Sequence, residues 1–282
     1  MGTVAHARRG AVSSRPGAAV ALVAAAAAVA LAAGDAGAGG PPAPGCFDTP
    51  LTIEGTRNPD TVVGTEGPDV IETFKGADVI DGRGGDDLIC TGEDDDRVVG
   101  GAGDDMIIGG DQNDELVGDY RDTVEGPIGD DLVLGDDDED LVVGDVLSTV
   151  GDATGGGDDQ VEGGNRDDTV IGDSMSTVGN ATGAGDDEVA GSDNNDLVVG
   201  DSSAAGKASG KGGKDKVLGG KNNDFMWGDH ERGGKDGGPD KLTGGGGKDK
   251  FEAGPKKDLC KGGGGKDRDK SKPPCEKTTS IP

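Results

Sequence analysis

Only 2% of the 282 residues are aromatic, with one Trp, one Tyr and four Phe. An ordinary globular core takes much of its buried area from large side chains, so this chain does not build one. Histidine is nearly absent: His6 and His230 are the two, neither stands in a zinc or hydrolase signature, and His230, in a loop-like stretch, reads as a surface residue. Bases are also scarce, 27 against 56 acids for a formal net charge of −29. No basic stripe interleaved with aromatics exists to receive phosphates, which excludes nucleic acid as a partner. Few apolar residues and high charge usually describe a disordered chain. The exception is a solenoid, where each turn buries a couple of side chains and stacking supplies the rest.

What the chain does have is glycine, aspartate and a period. Residues 55–117 divide into GTRNPDTVV, GTEGPDVIE, TFKGADVID, GRGGDDLIC, TGEDDDRVV, GGAGDDMII and GGDQNDELV. The sixth position is always Asp, and two residues later comes an aliphatic: Val62, Ile71, Ile80, Ile89, Val98, Ile107 and Leu116. Six loop residues ending in a carboxylate, then three with an apolar one in the middle, describe a tight turn followed by a very short strand.

The consensus G-G-x-G-x-D-x-U-x, with U aliphatic, resembles the RTX or haemolysin-type calcium-binding repeat. The resemblance implies an all-β fold, a parallel β-roll (right-handed β-solenoid), in which two nonapeptides make one turn and Ca2+ ions lie between the loops of successive turns. Calcium is a hard cation that takes 6 to 8 oxygen ligands, and glycine lets a loop aim carbonyls at one point. A cation also answers the charge problem, because close carboxylates repel until something neutralises them.

After residue 117 the period lengthens. Gly-Asp pairs recur at Asp119, Asp145, Asp173, Asp201 and Asp229, each opening an insert before the next nonapeptide pair. Plain nonapeptides thus occupy 55–117, extended turns of 25 to 28 residues 118–252, and a plain pair 253–270. With one pair per turn, the sixth-position acids sort into two columns. The first is Asp60, Asp78, Asp96, Asp114, Asp140, Asp168, Asp196, Asp224, Asp249 and Asp267; the second is Asp69, Asp87, Asp105, Asp131, Asp159, Asp187, Asp215, Asp240 and Asp258. All are candidate metal ligands, and members 18 residues apart are expected to stack one turn apart.

The inserts leave after first-column strands, so they should stack on one side of the roll. The ninth positions there, Val99, Val117, Val143, Ile171, Val199 and Trp227, form an outward apolar row. Leu147, Val150, Met175 and Val178 are the candidates to cover it, with Val150 and Val178 stacked by their matched Ser-Thr-Val triplets. The insert acids read either as turn residues or as ligands of extra calcium. In the fourth loop position Arg166 and Lys256 replace the usual Gly, Asn or Asp and bring positive charge, which points to weakened sites there.

Charge also divides the chain. Residues 46–199 hold 42 acids and 6 bases, a net −36, whereas residues 200–282 hold 13 acids and 18 bases, a net +5. Lys214, Lys248, Lys257 and Lys266 each precede a column Asp, and an ammonium there either replaces calcium in part or points to solvent. On the first reading the basic third needs the ion less.

The ends carry other signals. Arg8, Arg9 and Arg15 precede an Ala, Val and Leu run at 18–33, and Ala36-Gly37-Ala38 suits cleavage, so residues 1–38 are expected to be a signal peptide. A spanning helix is the competing reading, but the run falls short of the roughly 20 strongly apolar residues a bilayer needs. Residues 39–54 read as a linker and N-terminal cap, 55–270 as the roll and 271–282 as a tail. Cys46, Cys90, Cys260 and Cys275 in an exported chain suggest two disulfides. Three connectivities are open; Cys46–Cys90 with Cys260–Cys275 would tie each terminal segment to the nearer end of the roll.

Paired-acid catalysis needs two carboxylates of different environment in a concave site, which a solvated ladder does not offer. The expectation is a secreted, non-enzymatic calcium-binding protein, structural or associated with the cell surface, with no membrane span once the signal is removed and a protein or surface partner left unknown. The alternative is an extracellular adhesin or partner-binding module using the insert face, which turns on whether the ninth-position row is exposed.

Overall fold

The computed structural model describes residues 3–4, 49–123, 126–231, 237–263, 268–269 and 275. Among them every secondary element is a strand, so no helix is long and apolar enough to cross a membrane. Two long parallel sheets face each other. One runs from Thr3–Val4 and Asp60–Val63 through Leu141–Val143 to Lys250–Glu252 and Arg268–Asp269; the other runs from Ile53–Glu54 through Leu132–Asp137 to Leu259–Lys261. Neighbouring strands come from successive turns: Val62 pairs with Ile80 and Ile71 with Ile89, while Val142 sits beside Val170 and Val189 beside Val217. This is a parallel β-roll of one nonapeptide pair per turn, in the register the spacing of the acids requires.

The core is a single file. Eighth-position side chains from Val62 to Phe251 and Cys260 meet between the sheets, and all are 0–1% exposed. Strands such as Val79–Gly84 run 6 residues, through the ninth position and into the next loop, with side chains alternating between the core and the outside. One aliphatic per nonapeptide is enough here, since each contacts its counterpart one turn above and below as well as the opposite sheet.

The loops depend on left-handed backbone at their second and fourth positions. In one turn Gly101 and Gly103 supply it with φ of 119° and 131°; elsewhere Phe74, Arg83, Asp94, Gln112 and Arg166 adopt it without being glycine. Such residues carry a steric cost of about 1 kcal/mol or more, tolerated because the turns on either side fix the path.

The inserts are strands rather than irregular loops. Tyr120–Arg121, Val146–Ser148, Met175–Ser176 and Ser203–Ala204 form a four-stranded parallel sheet, and Ala153–Thr154, Ala181–Thr182 and Ala208–Ser209 a three-stranded one. Both stack along the roll on the side expected. Leu147 is buried and Met175 partly so against Val117, Val143, Ile171, Val199 and Trp227, which covers the ninth-position row. Trp227 closes it, donating its Nε1–H to Glu252 at 3.2 Å.

Val150 and Val178 do not join this cluster: they are 72% and 58% exposed. The reason is the serine in each triplet. Ser148 Oγ accepts the N–H of Gly151 and Ser176 Oγ that of Gly179, at 3.1 and 2.8 Å, so each triplet makes a tight turn with the valine at its tip.

Cys260 and Cys275 are joined in a disulfide with Cα atoms 5.6 Å apart, as expected. Cys90 is also disulfide-bonded; Cys46, proposed as its partner, lies outside the described residues. The segments expected to be a signal peptide (beyond Thr3–Val4), a linker (39–45) and a tail (apart from Cys275) lie outside them too.

Candidate metal centre

Each column aspartate is placed by the strand that follows it. From Asp69 to Asp240 the backbone carbonyl accepts the N–H of the first strand residue one turn on, as Asp78 does from Arg97 at 2.9 Å. Its side chain reaches back: Oδ1 of Asp78 accepts the N–H of Asp60 at 2.7 Å, and Oδ1 of Asp96 that of Asp78 at 2.7 Å. The first column continues through Asp114, Asp140, Asp168, Asp196 and Asp224 to Asp249. The second runs unbroken from Asp69 through Asp87, Asp105, Asp131, Asp159, Asp187, Asp215 and Asp240 to Asp258. Acids one turn apart therefore stack, as the spacing requires; Asp267 lies outside the described residues.

The second oxygen distinguishes the sites. Oδ2 of Asp60 and Asp69 accepts an N–H from its own loop, from Thr56 at 2.6 Å and Thr65 at 2.7 Å. From Asp78 and Asp87 onward the second-position backbone turns elsewhere, and Oδ2 of Asp78, Asp87, Asp96, Asp105, Asp114 and Asp131 is buried with no hydrogen-bond partner. The same holds for Asp140, Asp159, Asp168, Asp187, Asp196, Asp215 and Asp224, and for Asp240. A buried charged oxygen without a partner is expensive, and a row of them calls for a counter-charge.

Burial pushes these carboxyls far above the usual range, with neighbouring acids adding to it. Asp87, Asp105 and Asp114 rise to about 8, Asp168 to about 7, and the most enclosed, Asp131, Asp159 and Asp187, rise strongly. Hydrogen bonds from the preceding turn's N–H work the other way and are outweighed. Without a cation the most enclosed of these carboxyls would hold protons rather than charge at neutral pH.

Gly at the first loop position makes the approach possible. A Cβ on Gly100 would lie 2.4 Å from Asp105 Oδ2 and 2.3 Å from the Gly118 carbonyl oxygen. Carboxylates of consecutive turns and loop carbonyls are the oxygen set a hard divalent cation takes. Among the described residues no three His, Cys, Asp or Glu side chains close round one point, so main-chain oxygens must complete any shell.

Among the described residues the bases beside the columns, Lys214, Lys248, Lys256 and Lys257, are exposed and stay out of these sites. Lys214 Nζ lies 3.7 Å from exposed Asp186 and Arg166 Nε 3.5 Å from Asp138, both on the outer surface. The solvent reading of these side chains is the one the geometry supports. Asp215, Asp224 and Asp240 in the lysine-rich third still rise to about 10, 8 and 9, chiefly through burial.

His230 corrects the sequence reading. Its side chain is buried, Nδ1 faces the N–H of Ser202 at 3.4 Å, and burial lowers the imidazole to about 4, so it is neutral. The signal lay in the Gly-Asp alignment, where His230 holds the place of Ser202 one turn later.

The model of the RTX calcium-binding nonapeptide repeat matches residues 54–89, 91–119, 117–146, 154–174, 181–204, 208–229 and 236–259. These matches cover more than half of the chain, which belongs to that family. Its repeats bind Ca2+ at multiple sites and form a structural calcium-binding unit. Comparison with curated proteins and with solved structures gives no match.

Proposed function

We propose that this is an exported, non-enzymatic protein whose roll is completed by calcium, with a structural or surface-associated role outside the cell. The observation that carries the reading is the file of buried column carboxylates from Asp78 to Asp240 whose Oδ2 atoms have no hydrogen-bond partner. Asp78 to Asp240 along both columns are the proposed ligands, with loop carbonyls beside them. Asp60 and Asp69, closed by their own loops, serve as the N-terminal end of the ladder. Bound calcium would supply positive charge between consecutive loops and let the carboxylates stay ionised. The test is a calcium titration of the chelator-treated chain followed by circular dichroism. A rise of β signal with calcium is expected; a spectrum indifferent to the ion overturns the reading.

The adhesin alternative loses its main surface, since Leu147 and Met175 cover the ninth-position row. Among the described insert residues the exposed tips Val150 and Val178 remain to it.

A further inference from the structure

The insert acids form a third row that the nonapeptide columns do not explain. Asp119, Asp145, Asp173, Asp201 and Asp229 are 0–2% exposed, far from the solvated turn residues their Gly-Asp sequence suggests. Each is turned into the neighbouring second-column loop, where Oδ1 accepts a backbone N–H: Gly129 to Asp119 at 3.1 Å, Gly157 to Asp145 at 3.0 Å, Gly213 to Asp201 at 2.9 Å. The second oxygens of Asp145, Asp173, Asp201 and Asp229 are buried without a hydrogen-bond partner. Neighbours in the row also lie within hydrogen-bond reach of one another, Asp145 with Asp119 and Asp173, and Asp173 with Asp201. Two ionised carboxylates do not sit that way without a proton or a cation between them.

A separate observation decides for a ligand. Ser174 and Ser202 are both fully buried, and neither hydroxyl has a hydrogen-bond partner. Ser174 Oγ is 3.0 Å from the place a Cβ would take on Gly155, a point only 2.4 Å from Asp145 Cβ, so the hydroxyl looks onto the row. Ser202 holds the same place one turn later, as the pairing of Met175 with Ser203 fixes. A shared proton would satisfy the carboxyls and leave both hydroxyls stranded; a hard cation takes carboxylate and hydroxyl oxygens alike.

We propose that the inserts carry a second row of calcium sites, each ion held between consecutive acids, Asp145 with Asp173 and Asp173 with Asp201, with Ser174 and Ser202 hydroxyls as neutral ligands. The extended turns then bind more calcium than the plain ones, and the insert sheets are fastened to the roll by the ion as well as by Leu147.

The test counts calcium bound to the full chain by equilibrium dialysis at neutral pH. Asp173→Asn stands between two sites and should lose about two ions per chain. Asp168→Asn, in the first column on the far side, should lower the count without touching the row. Ser174→Ala with Ser202→Ala keeps every carboxylate and should weaken the last ions bound by several-fold. An Asp173→Asn chain that binds as many ions as the unaltered one means the row holds protons, and overturns the proposal. If that variant does not fold, the serine pair decides: an unchanged titration curve overturns it. A chain that takes up no calcium at all sinks the ladder reading as well, whereas loss confined to Asp168→Asn leaves that reading standing and removes this one.

Discussion

At the scale of single residues, the ladder is set by what cannot be added. Gly100→Ala would drive a methyl against both Asp105 Oδ2 and the Gly118 carbonyl. We expect it to destabilise the calcium-bound chain by about 1–3 kcal/mol and to weaken calcium binding, read by urea unfolding at saturating ion. Gly67→Ala meets nothing within 4 Å and should stay within about 0.5 kcal/mol of the parent. The carboxyls themselves set a pH dependence. Their folded values, about 6 for Asp96 and about 8 for Asp105 and Asp114, lie above the unfolded value of about 4, so folding without calcium takes up protons. Stability of the ion-free fold is therefore fully present below about pH 4 and is lost as pH rises through about 6 to 8. Circular dichroism of the chelator-treated chain should show β structure growing on acidification toward pH 4; structure that instead melts there would contradict this linkage.

At the scale of elements, two kinds of strand carry different weight. Ile107 is fully buried in the central file, and Ile107→Ala should cost about 2–5 kcal/mol. Leu147→Ala should cost a similar amount while raising dye binding, because it uncovers Val117, Val143 and Ile171; Val150→Ser, at an exposed tip, should do neither. The elements were legible to different degrees for physical reasons. The nonapeptide strands follow from the fixed distance between Asp and its aliphatic, since turn and core are local to one repeat. Both columns follow from the spacing together with the two-nonapeptide turn that the family resemblance implies, and the hydrogen-bond ladder follows them. The insert strands could not, because nothing within one insert marks a strand; Ala153–Thr154 exists only by pairing with Ala181–Thr182 one turn away. Hydrophobicity alone would set Val150 against the roll, but the serine before it turns the chain and leaves the valine at the tip. His230 is buried because it takes the place of Ser202 one turn later, which composition does not show.

At the scale of the molecule, net charge is a poor guide to where calcium is needed. Residues 46–199 carry −36 and residues 200–282 carry +5, which by itself says the second part needs the ion less. Among the described residues the lysines beside the columns, Lys214, Lys248 and Lys257, are exposed, so the charge sum and the state of the buried columns are separate quantities. Lys214 and Lys221 pair with Asp186 and Asp193 on the surface, where each such contact contributes little. The columns run on inside, and Asp215 and Asp240 rise as far as acids of the acidic part. Each ion bound only by the folded chain adds about 2.7 kcal/mol when calcium is 100-fold above its dissociation constant, in either part. Because each turn pairs with the next, loss of one stretch also exposes the core of its neighbour. Amide exchange after chelation should therefore show protection falling together across residues 53–199 and 200–261. Protection kept in the lysine-rich third while the acidic part exchanges freely would mean that surface ammonium groups, not ions between the loops, hold that part of the roll.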